Sequence, residues 1–390
     1  VNPLTAAIFR SGFFAGACLL LTIGLSGCGG PQKLPPSGVR VVPGKATAPR
    51  PQPPSVPQQP RVPPPVQPVQ PKPQPAPTSP TPPPVVVQPQ PSPVPAPVQP
   101  AAPPQWIPLQ NWAAKQGLLA PVRVSQNAFQ VRSAAGGTFQ LSVGTRVASW
   151  NGIKFHLGFA PTATNGLPFI HPLDAEKNLA PLLQVNRPVP RGRGIIVLDP
   201  GHGGQDVGTK STLGQIFEKD YTLDMAKRLK PLLEQRGWRV VLTRTTDKGV
   251  ELAERVLIAE QQQADLFLSL HFNSAGVGAA GLETYCLTPA GMPSTLTRNF
   301  SDPVNVALPG NARDQENMHL AMRVHRSLLQ TVGMADRGVQ RARFMNVLKT
   351  QRRPAILIEC GYLSDRNEAK LIQSADYRQK LAQAVAKALE

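Results

Sequence analysis

The sequence predicts an α/β fold: a mainly parallel sheet with helices on both faces over residues 191–390, preceded by a small α+β domain and a disordered Pro-rich linker. Three observations carry this. Beyond residue 190, apolar runs of strand type alternate with stretches of helical period, the pattern of a sheet covered by helices. Thirty of the 46 prolines lie between Pro31 and Pro104. No acid precedes Asp174, so residues 1–173 carry 12 Lys and Arg without counter-charge, while the remainder carries 29 bases against 23 acids.

The net charge of +18 is therefore mostly a property of the N-terminal half. A basic chain suits an anionic partner such as a membrane surface or a cell-wall polymer, or it simply keeps a tail solvated. The linker bases are scattered rather than clustered and no nucleic-acid-binding motif is present, so no nucleic-acid partner is expected.

The elements run in order as follows. Residues 1–27 hold one early base, Arg10, then an apolar segment too short for a comfortable membrane span, then small residues, as in a secretory signal. The segment closes on "LSGC", Leu25 to Cys28, which resembles the bacterial lipobox. That resemblance implies a lipoprotein signal peptide, cut before Cys28, whose lipidated thiol anchors the chain to a membrane of the cell envelope, on the outer membrane or the periplasmic face. Ordinary secretion with cleavage elsewhere is the alternative. Gly29 after the cysteine, in place of the aspartate that often retains lipoproteins at the inner membrane, leans toward the outer one. Residues 28–104 follow as the linker. Proline fixes φ and removes donors, so this stretch should be an extended polyproline II tether reaching on the order of 200 Å at ~3.1 Å per residue.

Residues 105–190 read as the small α+β domain. "WIPLQNWAAKQGL" has helical spacing, "NAFQVRS", "TFQLSVGTRVA" and "NGIKFHLG" alternate as strands, and "LDAEKNLAPLLQ" closes as a helix. The order is similar to the copper amine oxidase N-terminal-like domain, an accessory module that binds no copper. His156 and His171 fall here and are expected to be structural.

In residues 191–390 the expected strands are "GIIVLDP", "WRVVLTR", "ADLFLSLHF", "GLETYCL" and "PAILIECG". The expected helices are "EKDYTLDMAKRLKPLLEQRG", "ELAERVLIAEQQQ", "ENMHLAMRVHRSLLQTVG" and "SADYRQKLAQAVAKALE", with a kink or restart at Pro231 in the first. Cys286 and Cys360 either pair in an oxidising compartment or sit as buried thiols. His319 and His325, six apart on a helix, are expected on the surface or in packing.

Three strands end in a residue of catalytic type: "IIVLDPGH" at His202, "LFLSLH" at His271 and "AILIE" at Glu359. Ligands of open α/β sheets bind outside the carboxyl ends of the strands, so these side chains can share one crevice, joined by Glu218 at the start of the first helix. Two histidines and a glutamate suffice as a three-ligand zinc set with an open position for water, and a second carboxylate then serves as general base. Asp199 and Asn273 flank the ligands and could orient the imidazoles. The bland reading of each residue alone is a turn histidine or a helix-capping acid.

Taken together, "VLDPGHGGQDVGT", "EKDYTLDMAKRL", "LTRTTD", "LAERVLIA", "ADLFLSLHFNSA", "GLETYCL", "DRGVQRARFMNVLK", "PAILIECGYLSDRNEAKLI" and "YRQKLAQAVAKAL" resemble the zinc-dependent N-acetylmuramoyl-L-alanine amidases of the AmiC type. The resemblance implies Zn2+ on His202, Glu218 and His271, with Glu359 as the catalytic glutamate. It implies peptidoglycan as substrate, cleaved between N-acetylmuramic acid and the L-alanine of the stem peptide, in wall remodelling or daughter-cell separation. Phe272 and Asp365 depart from the family's usual small residue and Asn. The stretch Thr288–Gln315 is longer than in the simplest members, and should border the cleft and gate access, with a regulatory protein as its partner. Competing expectations are a catalytically dead peptidoglycan-binding lipoprotein and a metallopeptidase acting on stem peptides.

Overall fold

The computed structural model describes residues 105–184, 194–297 and 301–390. The signal segment, Cys28 and the Pro-rich linker lie outside the described residues.

Residues 105–184 contribute β1 (Ile107–Pro108), α1 (Leu109–Lys115), β2 (Val122–Arg123), β3 (Ala128–Arg132), β4 (Thr138–Ser142), β5 (Val147–Trp150), β6 (Ile153–His156), β7 (Thr162–Thr164), β8 (Leu167–Ile170), α2 (Pro172–Asp174) and α3 (Ala180–Leu183). Alternation in β3 and β4 buries Phe129, Val131, Phe139 and Leu141 while Gln130, Arg132 and Gln140 are turned outward, as a half-buried antiparallel meander requires. His171 caps α2 by accepting from the Leu173 N–H and stacks on Phe159, and His156 lies against the Val339 carbonyl. Neither belongs to a cluster of metal-ligand donors among the described residues.

The remainder runs β9 (Ile195–Pro200), α4 (Glu218–Glu234), β10 (Arg239–Leu242), α5 (Leu252–Gln261), β11 (Leu266–Asn273), β12 (Leu282–Leu287), α6 (Asp314–Val332), β13 (Asp336–Ala342), α7 (Asn346–Lys349), β14 (Ala355–Tyr362), α8 (Arg366–Gln373) and α9 (Ala375–Ala388). The strand order is β10-β9-β11-β14-β12-β13, parallel throughout except that β12 runs antiparallel to β14. The fold is thus α/β with a mainly parallel sheet. Successive residues of a strand point to opposite faces, and each face has its own core. Ile196, Leu198, Leu268, Leu270, Ile356 and Ile358 pack under α4, α6 and α9. Val197, Phe267, Ala355 and Leu357 pack under α5 and α7. Burial on both faces explains why β9, β11 and β14 read as unbroken apolar runs.

The sheet does not stop at β13. Its far edge pairs in parallel with β6 through Val339 and Phe155, so the meander β6-β5-β4-β3-β2 extends the same sheet to eleven strands. Asp336 pins this seam: its carboxylate accepts from the Lys154 N–H at 2.8 Å and the Gly338 N–H at 2.8 Å, and lies 3.0 Å from His325 Nε2. Buried His325 therefore packs and also pairs, its Nδ1 lying 3.1 Å from the Thr284 hydroxyl. Burial works against the Asp336 charge, yet His325 and the two N–H donors hold the carboxyl below its ordinary value. A depressed folded-state value means the stabilisation is present at neutral pH and fades as pH falls through and below ~4. Asp336→Asn should lower stability by about 1–3 kcal/mol at pH 7. In urea titrations that gap should shrink at pH 3.5; an equal gap at both pH values would assign the effect to shape rather than charge.

Two expectations are corrected here. Helix α4 runs uninterrupted through Pro231. The proline sits in the last turn, where the missing N–H removes one helical hydrogen bond and the Gln235 N–H still reaches the Pro231 carbonyl. Strand β13 was not expected, because "DRGVQRA" looks polar. Its Arg341 is fully buried and donates to the carbonyls of Lys177 and Leu287 and to the Asn178 side chain. Cys286 and Cys360 are buried free thiols rather than a disulfide.

Candidate active site

Strands β9, β11 and β14 are neighbours in the middle of the sheet, and the four residues expected to do chemistry gather at their carboxyl ends. His271 and Glu359 sit directly opposite each other in the β11–β14 register. The chain leaving β9 turns at Gly201, whose N–H donates to the Leu270 carbonyl at 3.0 Å. No larger residue fits there: a Cβ on Gly201 would stand 2.3 Å from the His271 ring. The next residue, His202, takes φ 62°, a left-handed conformation that costs a non-glycine residue roughly 1–2 kcal/mol. Strain of this kind persists only where surrounding contacts impose it. Here Arg255 does so, donating to the carbonyls of Pro200 at 3.0 Å and His202 at 2.9 Å.

Glu218 opens α4 and reaches the same point. Its Oε1 lies 2.9 Å from His271 Nδ1 and 3.1 Å from His202 Nε2, and accepts from the Phe272 N–H at 3.0 Å. Its Oε2 accepts from the Thr209 N–H at 2.9 Å. The carboxylate is buried, which opposes its charge, but the two imidazoles outweigh burial and hold it well below the ordinary carboxylate range. One donor atom each from His202, Glu218 and His271 lies within 4.8 Å of the others. Two imidazole nitrogens and an ionised oxygen at that spacing fit a zinc ion, which prefers nitrogen and oxygen donors and leaves a fourth position open in catalytic sites. A pocket of about 290 Å³ joins these three residues to Glu359.

The residues expected to orient the imidazoles are corrected in part. Asp199 makes its hydrogen bonds elsewhere: it accepts from Arg255 Nη1, the Thr243 hydroxyl and the Ser269 hydroxyl, at 2.7, 2.7 and 2.8 Å. Its effect on His202 passes through Arg255 and the backbone. The group that meets the Nδ1 side of the ring is Asp206, both of whose oxygens lie 2.9 Å from that nitrogen. Burial would lower the His202 pKa, but Glu218 and Asp206 together raise it. Asp206 lies four residues after His202 inside "GHGGQD", and the sequence does not single it out. Arg255 lies within a helix and offered no signal either. Asn273 donates to Glu283 at 2.9 Å. Replacing Asp206 by Ala should weaken metal retention or turnover by ~10–100-fold, the range for carboxylates that support ligating histidines. Parent-like values for both in a metal-titrated assay would rule out a positioning role.

Of the two departures from the family pattern, Phe272 packs edge-on against Tyr221 while lining the site pocket, and Asp365 caps α8 by accepting from the Asn367 and Glu368 N–H groups. The long segment after β12 is tied down rather than loose in its described residues. Arg146 donates to the carbonyls of Pro293 and Ser294, the Ser294 N–H donates to Asp302, and Arg343 pairs with Asp302. Thr295 and Leu296 border a cavity beside the site.

Residues 196–390 match the family described as N-acetylmuramoyl-L-alanine amidase. The sporulation-specific N-acetylmuramoyl-L-alanine amidase of Bacillus subtilis (strain 168) is 33% identical over 197 residues, 50% of this chain and 66% of that protein. The N-acetylmuramoyl-L-alanine amidase AmiA of Escherichia coli (strain K12) is 31% identical over 218 residues, 50% of this chain and 74% of that one. Among solved structures, the amidase AmiC2 of Nostoc punctiforme superposes with a TM-score of 0.42 and 34% identity, covering 51% of this chain and 96% of that one.

Proposed function

The chain belongs to the N-acetylmuramoyl-L-alanine amidase family, and on that premise we propose that it hydrolyses peptidoglycan at the amide joining the lactyl group of N-acetylmuramic acid to the L-alanine of the stem peptide, using zinc and Glu359. The observation that supports this best is the meeting of His202, Glu218 and His271 within 4.8 Å, with Glu359 on the adjacent strand in register with His271.

His202, Glu218 and His271 would hold the ion. When bound, zinc supplies Lewis acidity, which polarises a carbonyl and makes water acidic near neutral pH. The protein's own part is positional and protolytic. The Glu359 carboxylate accepts the proton of the water that attacks the carbonyl carbon. It then returns that proton to the nitrogen as the C–N bond breaks. The products are a lactyl carboxylate on the glycan and a free α-amine on the alanine. Asp206 holds the His202 ring from behind, and Asp199 with Arg255 holds the strained backbone beneath it.

The expected lipid anchor at Cys28 would place this activity at the cell envelope, on a tether long enough to search the wall. The support for it is the "LSGC" pattern and the proline composition alone.

The reading is tested by digesting purified murein with zinc-loaded protein and weighing the products. Free stem peptides beginning with alanine, and glycan bearing unsubstituted lactyl groups, are expected. Shortened peptides still attached to muramic acid would instead identify a metallopeptidase, and an inert protein would be a binder.

A further inference from the structure

The site pocket is flanked by two hollows of opposite character. On the His202 side lies one of about 710 Å³, walled by the glycine-rich turn Gly201–Asp206, by Gly249–Leu252 and by Phe344–Val347. Two acids border it, Glu251 and Asp206, the latter turned onto the His202 ring; its base, Arg255, is buried on Asp199. On the other side lies one of about 300 Å³, which shares Asn273 and Ser274 with the site pocket. Its walls are Arg337, Gln340 and Tyr362, Thr295 and Leu296 from the long segment after β12, and His156 from β6.

Charge distinguishes the two. In the smaller hollow Glu283 is buried and turned onto its own donors: Arg337 Nε at 2.7 Å, the Tyr285 hydroxyl at 2.7 Å and Asn273 Nδ2 at 2.9 Å. The Arg337 side chain is 39% exposed, with its guanidinium laid over the Tyr362 ring at 5.2 Å. A guanidinium has five N–H donors; Glu283 engages Nε, and Tyr362 also hydrogen-bonds the group. Gln340 spans the wall, accepting from the Thr295 hydroxyl at 2.8 Å and donating to the Arg337 carbonyl at 3.0 Å. A stem peptide carries carboxylates; the glycan is an uncharged polyol apart from its lactyl groups. Acids bordering the large hollow disfavour the peptide there, and a planar, partly exposed guanidinium suits a carboxylate.

We propose that substrate crosses the centre in one direction, with the carboxylate-bearing stem peptide in the Arg337 cavity and the glycan in the larger hollow, and that Thr295, Leu296 and His156 determine how much peptide is accepted. The proposal rests on the amidase reading. It gives the long segment after β12 and the strand β6, which lies outside the matched residues 196–390, a part in substrate selection.

The test uses zinc-loaded full chain and two soluble substrates, N-acetylmuramoyl-L-alanine and an N-acetylmuramoyl tetrapeptide. Leu296→Trp narrows the small cavity without touching the four chemical positions. Its kcat/KM should fall at least ~10-fold more on the tetrapeptide than on the short substrate, mainly through KM, the scale of one altered pocket contact. Arg337→Lys keeps a cation facing Glu283 and gives a second measurement: the preference for a stem peptide with free carboxylates over its amidated form should weaken. Equal effects on both substrates with Leu296→Trp, or an unchanged carboxylate preference with Arg337→Lys, overturn the subsite while leaving the amidase reading in place. A parent protein inert on both substrates overturns the amidase reading itself, and the subsite with it.

Discussion

Glu359→Gln is expected to reduce peptidoglycan cleavage by ~10²–10⁴-fold, the usual contribution of a positioned acid–base group. Zinc content and melting temperature should stay near those of the parent. The substitution is nearly isosteric, so it removes proton transfer and little else. Glu359 is 5% exposed and closes the site pocket from β14, one strand away from His271 and in register with it. It is not among the three residues whose donor atoms cluster, so its loss should leave the ion in place. Turnover and metal content measured on the same sample decide the matter. Parent-like turnover would remove Glu359 from the chemistry; loss of zinc alongside activity would move it into the ligand set.

Glu218→Gln is expected to do the opposite: zinc is lost and activity goes with it. Carboxylates one step removed from a metal are worth ~10–100-fold in affinity, so a direct ligand should exceed ~100-fold. The amide keeps the size of the side chain, but its single carbonyl oxygen can accept from only one of the Phe272 and Thr209 N–H groups, which now meet separate carboxylate oxygens. What it cannot keep is the charge between two imidazoles. Equilibrium dialysis against zinc, with activity read at saturating metal, checks this. Retained high affinity would show that His202 and His271 suffice, and that Glu218 serves only to orient them. The two substitutions together separate chemistry from metal retention.

The main elements of residues 191–390 were legible from periodicity because β9, β11 and β14 are covered on both faces and must be apolar throughout, while α4, α6 and α9 carry one buried stripe. Strand β13 was not, because its buried Arg341 answers to carbonyls and to Asn178 from distant parts of the chain, and no local pattern records such partners. The site divides in the same way. His202, His271 and Glu359 announce themselves by closing apolar runs of strand type, whereas Asp206, four residues after His202, is not singled out by the sequence. The contacts of Arg255 with His202 and of Glu283 with Arg337 join residues far apart in the chain and leave no signature nearby.

Sequence alone determined the class of fold and the donor types at its strand ends, because strand period and helix period are local consequences of residue order and their alternation implies a parallel sheet. Tertiary structure decided what each donor touches: that Asp206 rather than Asp199 meets the His202 ring, that the 105–184 meander extends the sheet through β6, and that a guanidinium borders one side of the centre and acids the other. Those facts depend on side chains far apart in the chain arriving within hydrogen-bond distance, and only the packed sheet and its turns bring them there.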